Sequence, residues 1–189
     1  MNVQDYIKVY EDIVDRSLCN DLMKFKHDFK PSSFSSHTEV HEDSKNRVVM
    51  DDVWIKKDSV FYTPLKDCFV KAIRQYEYEF PLFMCEHTTD FRINKYGPGG
   101  FMSEHVDNIH HSHGQKWGYP HVSALLYLND DYEGGEFVVA GKEIKPNKVS
   151  SVIFPSNFLY PHQAKKVIEG TRWSIVAWVM LKLMSVFLR

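Results

Sequence analysis

Cysteine is scarce in this chain: Cys19, Cys68 and Cys85 are the only three among 189 residues. An odd, widely spaced set without a C-x-x-C pair excludes a disulfide framework and a zinc knuckle, and it fits a reducing compartment. Charge of one sign is nearly absent as well. A formal net charge of -2 and a pI near 6.5 remove the general electrostatic reason to bind a polyanion and leave only a local basic groove open. There is no export signal in "MNVQDYIKVYEDIV", which has acids where a signal peptide needs a basic start and an apolar run. The expectation is an intracellular, cytoplasmic protein. Nor is there a run long enough to span a bilayer. "WSIVAWVMLKLMSVFLR" is interrupted by Lys182 and falls short of the roughly 20 apolar residues a spanning helix needs, so it is expected to be a buried terminal element. Internal repeats are missing, and the one biased segment is the polar, serine-rich "KPSSFSSHTEVHEDSKN" from Lys30 to Asn46. Lacking periodicity, it reads as a long surface loop of the kind that covers a site.

What is present is apolar: 43% of the residues are hydrophobic and 14% aromatic, enough for one domain with a substantial core. The chain is therefore read as a single domain over 1–189, with 1–87 as an N-terminal support of helices and strands and 88–182 as a β core. "IKVYEDIV" is β-prone, and "DRSLCNDLMKFKHDF" places Leu18, Leu22 and Phe25 at helical spacing behind a capping residue. "RVVMDDVWI" reads as one strand. "SVFYTPLKDCFVKAIRQYEYEF" reads as a helix with Pro64 near its start and Leu65, Phe69, Ile73 and Tyr76 on one face. From Thr88 onward, short β-rich runs alternate with Gly and Asp turns, among them "DFRINKY", "GPGG", "VSALLYLN" and "RWSIVAWVM". The pattern predicts a mostly β sandwich or barrel packed against the preceding helices.

Histidine is the residue type that demands an explanation. "SEHVDNIHHSHGQKWGYPHVSALLYLND" holds five: His105, His110, His111, His113 and His121. His105 and Asp107 are one residue apart, so on an extended chain both side chains leave one face and converge on one ion. A lone His-x-Asp says little, but "FLYPHQAKKV" adds His162 after a β run, and "EGTRWSIVAW" adds Arg172 at the start of the last strand. Two histidines and one carboxylate make the facial triad of a non-haem Fe(II) site, which leaves three positions open. An ion so bound can take a chelating 2-oxo acid and O2, while a buried guanidinium holds the acid's far carboxylate by a two-pronged hydrogen bond. Taken singly, each residue has a plainer reading. His162 after Pro161 suits a surface turn, Tyr127 and Trp178 suit an ordinary core, and Arg172 suits a strand end facing water. His110, His111 and His113 read as solvated loop residues, and His37 and His41 lack an apolar face beside them.

The combination of His105-Val106-Asp107, His162 and Arg172, with "YGPGG" upstream and "YLND" and "GGEF" between, resembles the Fe(II)/2-oxoglutarate-dependent oxygenases of the prolyl 4-hydroxylase type. The likeness runs from about Phe91 to Met180. It implies a double-stranded β-helix, or jelly-roll, core. It implies that His105, Asp107 and His162 hold iron and that Arg172 pairs with 2-oxoglutarate. It further implies that Tyr127 shares the same carboxylate, that Tyr96 lines the cofactor and substrate pocket, and that Trp178 walls the iron site. The activity implied is hydroxylation coupled to decarboxylation of 2-oxoglutarate, with Fe(II), 2-oxoglutarate and O2 as cofactors and ascorbate as an accessory reductant. "HVDN" and "YLN" point to a protein or peptide substrate and prolyl hydroxylation. Nucleic-acid demethylases of the superfamily usually carry a second arginine six residues after the first, where this chain has Trp178, so nucleic acid is not the expected partner. Two readings stand beside this one: an oxygenase acting on nucleic acid or a small molecule, and a non-enzymatic jelly-roll binding module.

Overall fold

The computed structural model describes residues 2–35, 40–41, 46–85, 87–108 and 119–180. A short 3-10 turn, Val3–Tyr6, is closed by a capping box in which the Asn2 side chain accepts from the Gln4 N–H and Asp5 accepts from the Asn2 N–H. Then follow β1 (Lys8–Tyr10), α1 (Arg16–Lys24), β2 (Lys30–Pro31), β3 (Phe34–Ser35), β4 (Val40–His41), β5 (Val48–Val49), β6 (Asp51–Trp54) and α2 (Tyr62–Glu79). In the second half every described element is a strand: β7 (His87–Thr88), β8 (Arg92–Tyr96), β9 (Phe101–His105), β10 (Pro120–Tyr127), β11 (Glu133–Gly134) and β12 (Phe137–Val139). It continues with β13 (Lys142–Ile144), β14 (Ser151–Pro155), β15 (His162–Ala164), β16 (Val167–Glu169) and β17 (Arg172–Met180).

The strands form two main antiparallel sheets. The larger has the order β1-β14-β10-β17-β8-β6-β2, with β7 also on β17, and the smaller has the order β13-β12-β15-β9-β5. The chain is thus mostly β, a jelly roll with helices on one outer face, as the sequence pattern predicts. Two-residue ribbons join β11 to β16 and β3 to β4.

The near-continuous apolar runs of β10 and β17 follow from burial on both faces. On one face Ala124, Leu126, Leu128, Ile175, Ala177 and Val179 meet Leu65, Phe69, Ala72, Ile73 and Tyr76 of α2 and Cys19 and Leu22 of α1. On the other, Leu125, Tyr127, Val176, Trp178 and Met180 meet Phe137, Val139 and Ile144 of the smaller sheet. A strand's period of two therefore sorts its residues between a helix-facing core and an inter-sheet core that holds the site. The α2 face expected from Leu65, Phe69, Ile73 and Tyr76 is the buried one, each apolar side chain contributing about 1.5–3 kcal/mol. Phe69 and Phe91 stack at 5.0 Å, tying the helix to the strand region next to the site.

Two expectations need correction. "RVVMDDVWI" is not one strand: β5 pairs with β9 in the smaller sheet, and β6 pairs with β8 in the larger, with buried Met50 between them. The chain changes sheets within three residues, which a local apolar pattern does not register. The segment from Lys30 to Asn46 is not structureless either, because β2 forms the edge of the larger sheet and β3 pairs with β4. His37, His110, His111 and His113 lie outside the described residues, as does the end of the chain beyond Met180.

Candidate active site

His105 ends β9 and His162 opens β15, and the two are cross-strand partners in the smaller sheet. Their rings stand 4.2 Å apart between centroids. Asp107 follows two residues after His105, in the bend that leaves the strand. Its Oδ1 lies 3.6 Å from His105 Nε2 and its Oδ2 lies 3.5 Å from His162 Nε2. One atom from each residue falls within 4.8 Å of the others, a spacing that suits ligands of a single ion.

The hydrogen bonds decide which nitrogens face the centre. Nδ1 of His105 is 2.8 Å from the Ser103 carbonyl, and Nδ1 of His162 is 3.2 Å from the Tyr160 carbonyl. A carbonyl only accepts, so each Nδ1 carries its proton and each Nε2 presents a lone pair. Burial, assisted by His162, holds the His105 imidazole neutral and pushes its pKa down to about 3, against the pull of Asp107. Burial opposes ionisation of Asp107 too, but His162 and then His105, whenever either ring carries a second proton, and the Ser123 hydroxyl outweigh it and hold the carboxyl well below its ordinary range. The Ser123 hydroxyl donates to Asp107 Oδ2 at 2.6 Å and meets Ser156 Oγ at 2.8 Å. Phe154 and Phe137 pack edge-on against the His162 ring.

Arg172 opens β17, directly opposite Tyr96 of β8. It is 1% exposed and points into the inter-sheet cavity that His105, Asp107 and His162 also line. Its Nη2 donates to the Tyr127 hydroxyl at 2.9 Å, while Nε and Nη1 are buried without a partner. Because the Tyr127 oxygen accepts from Arg172, its own proton is left to donate elsewhere. Burial raises the Tyr127 pKa to about 12 against the influence of Arg172, so the phenol stays protonated. Tyr96 and Tyr127 flank the guanidinium at 4.9 and 5.2 Å. The "GGEF" turn bears on the arginine as well: Gly135 has φ +64, and a Cβ there would stand 2.9 Å from Val167 Cγ2 and 3.3 Å from Arg172 Cδ. Only a glycine leaves the stem its space.

All seven residues singled out in the sequence, His105, Asp107, Tyr96, Tyr127, His162, Arg172 and Trp178, meet around this cavity, Tyr127 through its bond to Arg172. His121 does not join them and stacks on Phe83 at 5.7 Å. Sequence reasoning missed Ser123 and Ser156, and it missed Arg92 and Asn94 of β8, which face the cavity. The available signal for Ser123 was its parity with Leu125 and Tyr127 along β10, which sets a small hydroxyl side chain on an inward face.

The buried donors of Arg172 lack an anion and the three clustered ligand atoms suit one ion, so the jelly roll carries in one cavity a set of groups fitted to a metal ion and an anion. A family model described as the 2OG-Fe(II) oxygenase superfamily matches residues 91–180. The chain is similar to that superfamily over this stretch, which holds all seven of the cavity residues, and the superfamily's description names Fe(II) and 2-oxoglutarate. Human Prolyl 3-hydroxylase 2 is 39% identical over 66 residues, 31% of this chain and 9% of that protein. A PKHD-type hydroxylase of a Picosynechococcus strain is 32% identical over 129 residues, 62% of this chain and 55% of that protein. The matches thus span about half or less of these relatives. Among solved structures, a Pseudomonas putida prolyl-4-hydroxylase superposes with a TM-score of 0.68 at 18% identity, covering 94% of both chains. A Trichoplax adhaerens prolyl hydroxylase, solved with a peptide fragment of the hypoxia inducible factor oxygen degradation domain, gives 0.72 at 18%, covering 93% of this chain and 83% of that one. At such identities the likeness is one of fold.

Proposed function

We propose that the protein is an Fe(II)- and 2-oxoglutarate-dependent dioxygenase that hydroxylates prolyl residues in a protein or peptide. The observation that carries the cofactor reading is the pair of unpartnered, buried donors on Arg172, set in the same cavity as the His-Asp-His cluster. In this reading His105 and His162 bind the ion through Nε2, and Asp107 binds it through a carboxylate oxygen. Arg172 holds the far carboxylate of 2-oxoglutarate by its free donors, and Tyr127 donates its remaining proton to that group. Tyr96 and Trp178 wall the cavity, and Leu125, Phe137 and Val176 keep it dry. The Ser103 and Tyr160 carbonyls lock both imidazole tautomers, and Ser123 fixes the Asp107 rotamer. When bound, the iron and 2-oxoglutarate supply the oxidising power: one atom of O2 ends in succinate, released with CO2, and the other in the new hydroxyl. Ascorbate, as a reductant keeping iron ferrous, and an intracellular setting complete the reading.

The substrate class rests on relatives and neighbours that are prolyl hydroxylases, one of them solved with a peptide fragment. The aromatic Trp178, where nucleic-acid demethylases have a second arginine, supports the same class. Purified protein incubated with Fe(II), ascorbate, 2-oxoglutarate and a panel of proline-bearing peptides is expected to release succinate and add one oxygen to a peptide, read by mass spectrometry. His162→Ala is expected to lose iron binding and succinate release together. Unchanged iron stoichiometry in that variant, or oxygen appearing on methylated oligonucleotides and never on peptides, sinks the proposal.

A further inference from the structure

A second guanidinium lies along the same cavity. Arg92, the first residue of β8, is 9% exposed and lines the space together with His105, Asp107 and Trp178. Its guanidinium sits over the Trp178 ring at 5.1 Å and the Trp54 ring at 5.9 Å. Its Nε is buried without a hydrogen-bond partner, and no carboxylate among the described residues forms an ion pair with it. Stacking on indoles covers the faces of the cation but leaves the in-plane N–H donors unused. A buried cation in that state is costly unless something that arrives later completes it.

The far carboxylate of 2-oxoglutarate is not that partner, because the proposed reading gives it to Arg172. On the paired strands Arg172 stands opposite Tyr96, whereas Arg92 stands opposite Val176, four residues further along. At about 3.3 Å per residue this separates the two positions by roughly 13 Å. The two arginines are thus rooted at different ends of the cavity wall, and the proposed reading sets the other end of 2-oxoglutarate on the ion rather than on Arg92. Arg92 lies instead beside Trp54, which is 37% exposed, so it faces what enters from solvent.

We infer that Arg92 anchors a carboxylate carried by the substrate, an inference that rests on the oxygenase reading above. The planar guanidinium edge, bounded by two rings whose centroids are 6.2 Å apart, matches a planar carboxylate that accepts two parallel hydrogen bonds. The same fork fits a phosphodiester, but a chain of net charge -2 offers no wider field to draw a polyanion in. The carboxylate comes either from an acidic side chain close to the target prolyl residue or from the free carboxylate of an imino acid or chain terminus.

The test is an anaerobic calorimetric titration of Mn(II)- and 2-oxoglutarate-loaded protein. Its ligands are a proline peptide carrying Glu, the same peptide carrying Gln, free L-proline and L-prolinamide. The wild type is expected to prefer one carboxylate-bearing member of a pair by about tenfold or more, the value of a charge-assisted pair. Which pair shows the preference identifies the source. Arg92→Gln is expected to erase the preference, and Arg92→Lys, which keeps the charge and loses the fork, to restore part of it. Equal affinities within both pairs, a preference that survives Arg92→Gln, or Arg92-dependent binding of an oligonucleotide instead overturns the inference. If Arg92→Gln does not fold, Arg92→Lys carries the comparison: a carboxylate preference undiminished in it overturns the inference, as do equal wild-type affinities. A separate titration of 2-oxoglutarate keeps the two readings apart: bound cofactor without carboxylate preference defeats this inference alone, whereas unbound cofactor defeats the functional proposal.

Discussion

In the proposed function Arg172 and Tyr127 divide one task unequally. The arginine brings a full buried charge with two unused donors, and the tyrosine brings a single proton. Arg172→Ala is expected to weaken 2-oxoglutarate binding by roughly 3–5 kcal/mol, the range for breaking a buried pair. Tyr127→Phe is expected to cost roughly 1.5–3 kcal/mol, the value of one hydrogen bond to a charged group. Equal dissociation constants for the two variants contradict this division. At this scale the sequence was most readable where chemistry restricts residue type, as with His105, Asp107, His162 and Arg172. It was least readable where a common residue matters only through its facing. Ser123 and Arg92 are ordinary strand residues until register sets one against Asp107 and the other against two indoles.

Among the elements, α2 was legible because its apolar face repeats over several turns, while β5 and β6 were not, because a change of sheet leaves no periodic mark. Phe69 is 1% exposed at the centre of the helix-facing core, so Phe69→Ala is expected to cost about 3–5 kcal/mol in denaturant unfolding. Acid acts on the flanks of the same core. His27 packs among Phe25, Phe29 and Phe61, and burial lowers its pKa despite the pull of the Leu22 carbonyl. Burial lowers that of His121 as well. Below the ordinary imidazole value of 6.5 the unfolded chain binds protons that these folded histidines refuse, so stability falls as pH drops through that value. Denaturation midpoints at pH above and below about 6.5 are expected to show this loss, with a smaller loss in His27→Gln. A midpoint that rises on acidification refutes the assignment.

For the molecule as a whole, the smaller sheet is the weaker partner, since its strands β5, β12, β13 and β15 have two or three residues each. An ion held across β9 and β15 braces the side that short ladders support least. Metal with 2-oxoglutarate, each at about a hundred times its dissociation constant, is expected to add about 2.7 kcal/mol per ligand to unfolding. His162→Ala is expected to abolish the metal's share, measured as the shift in thermal midpoint. A mostly β sandwich or barrel was legible from the evenly spaced strands and the jelly roll from the family resemblance, but the strand order in two sheets was not, because β14 beside β1 and β15 beside β9 are pairings between distant stretches of chain.

The pairing of β9 with β15 also sets a schedule. A chain emerging from the ribosome presents His105 and Asp107 early, yet His162 joins them only after the intervening strands have been made, and Arg172 comes later still. Interrupted synthesis before Pro161 therefore yields a fragment with two of the three ligands and neither the arginine nor the β17 wall. Such a fragment lacks the set that captures the ion and the cation that recruits the oxoacid. On the proposed function, the third ligand, the arginine and the β17 wall of the cavity are all completed within the last three described strands.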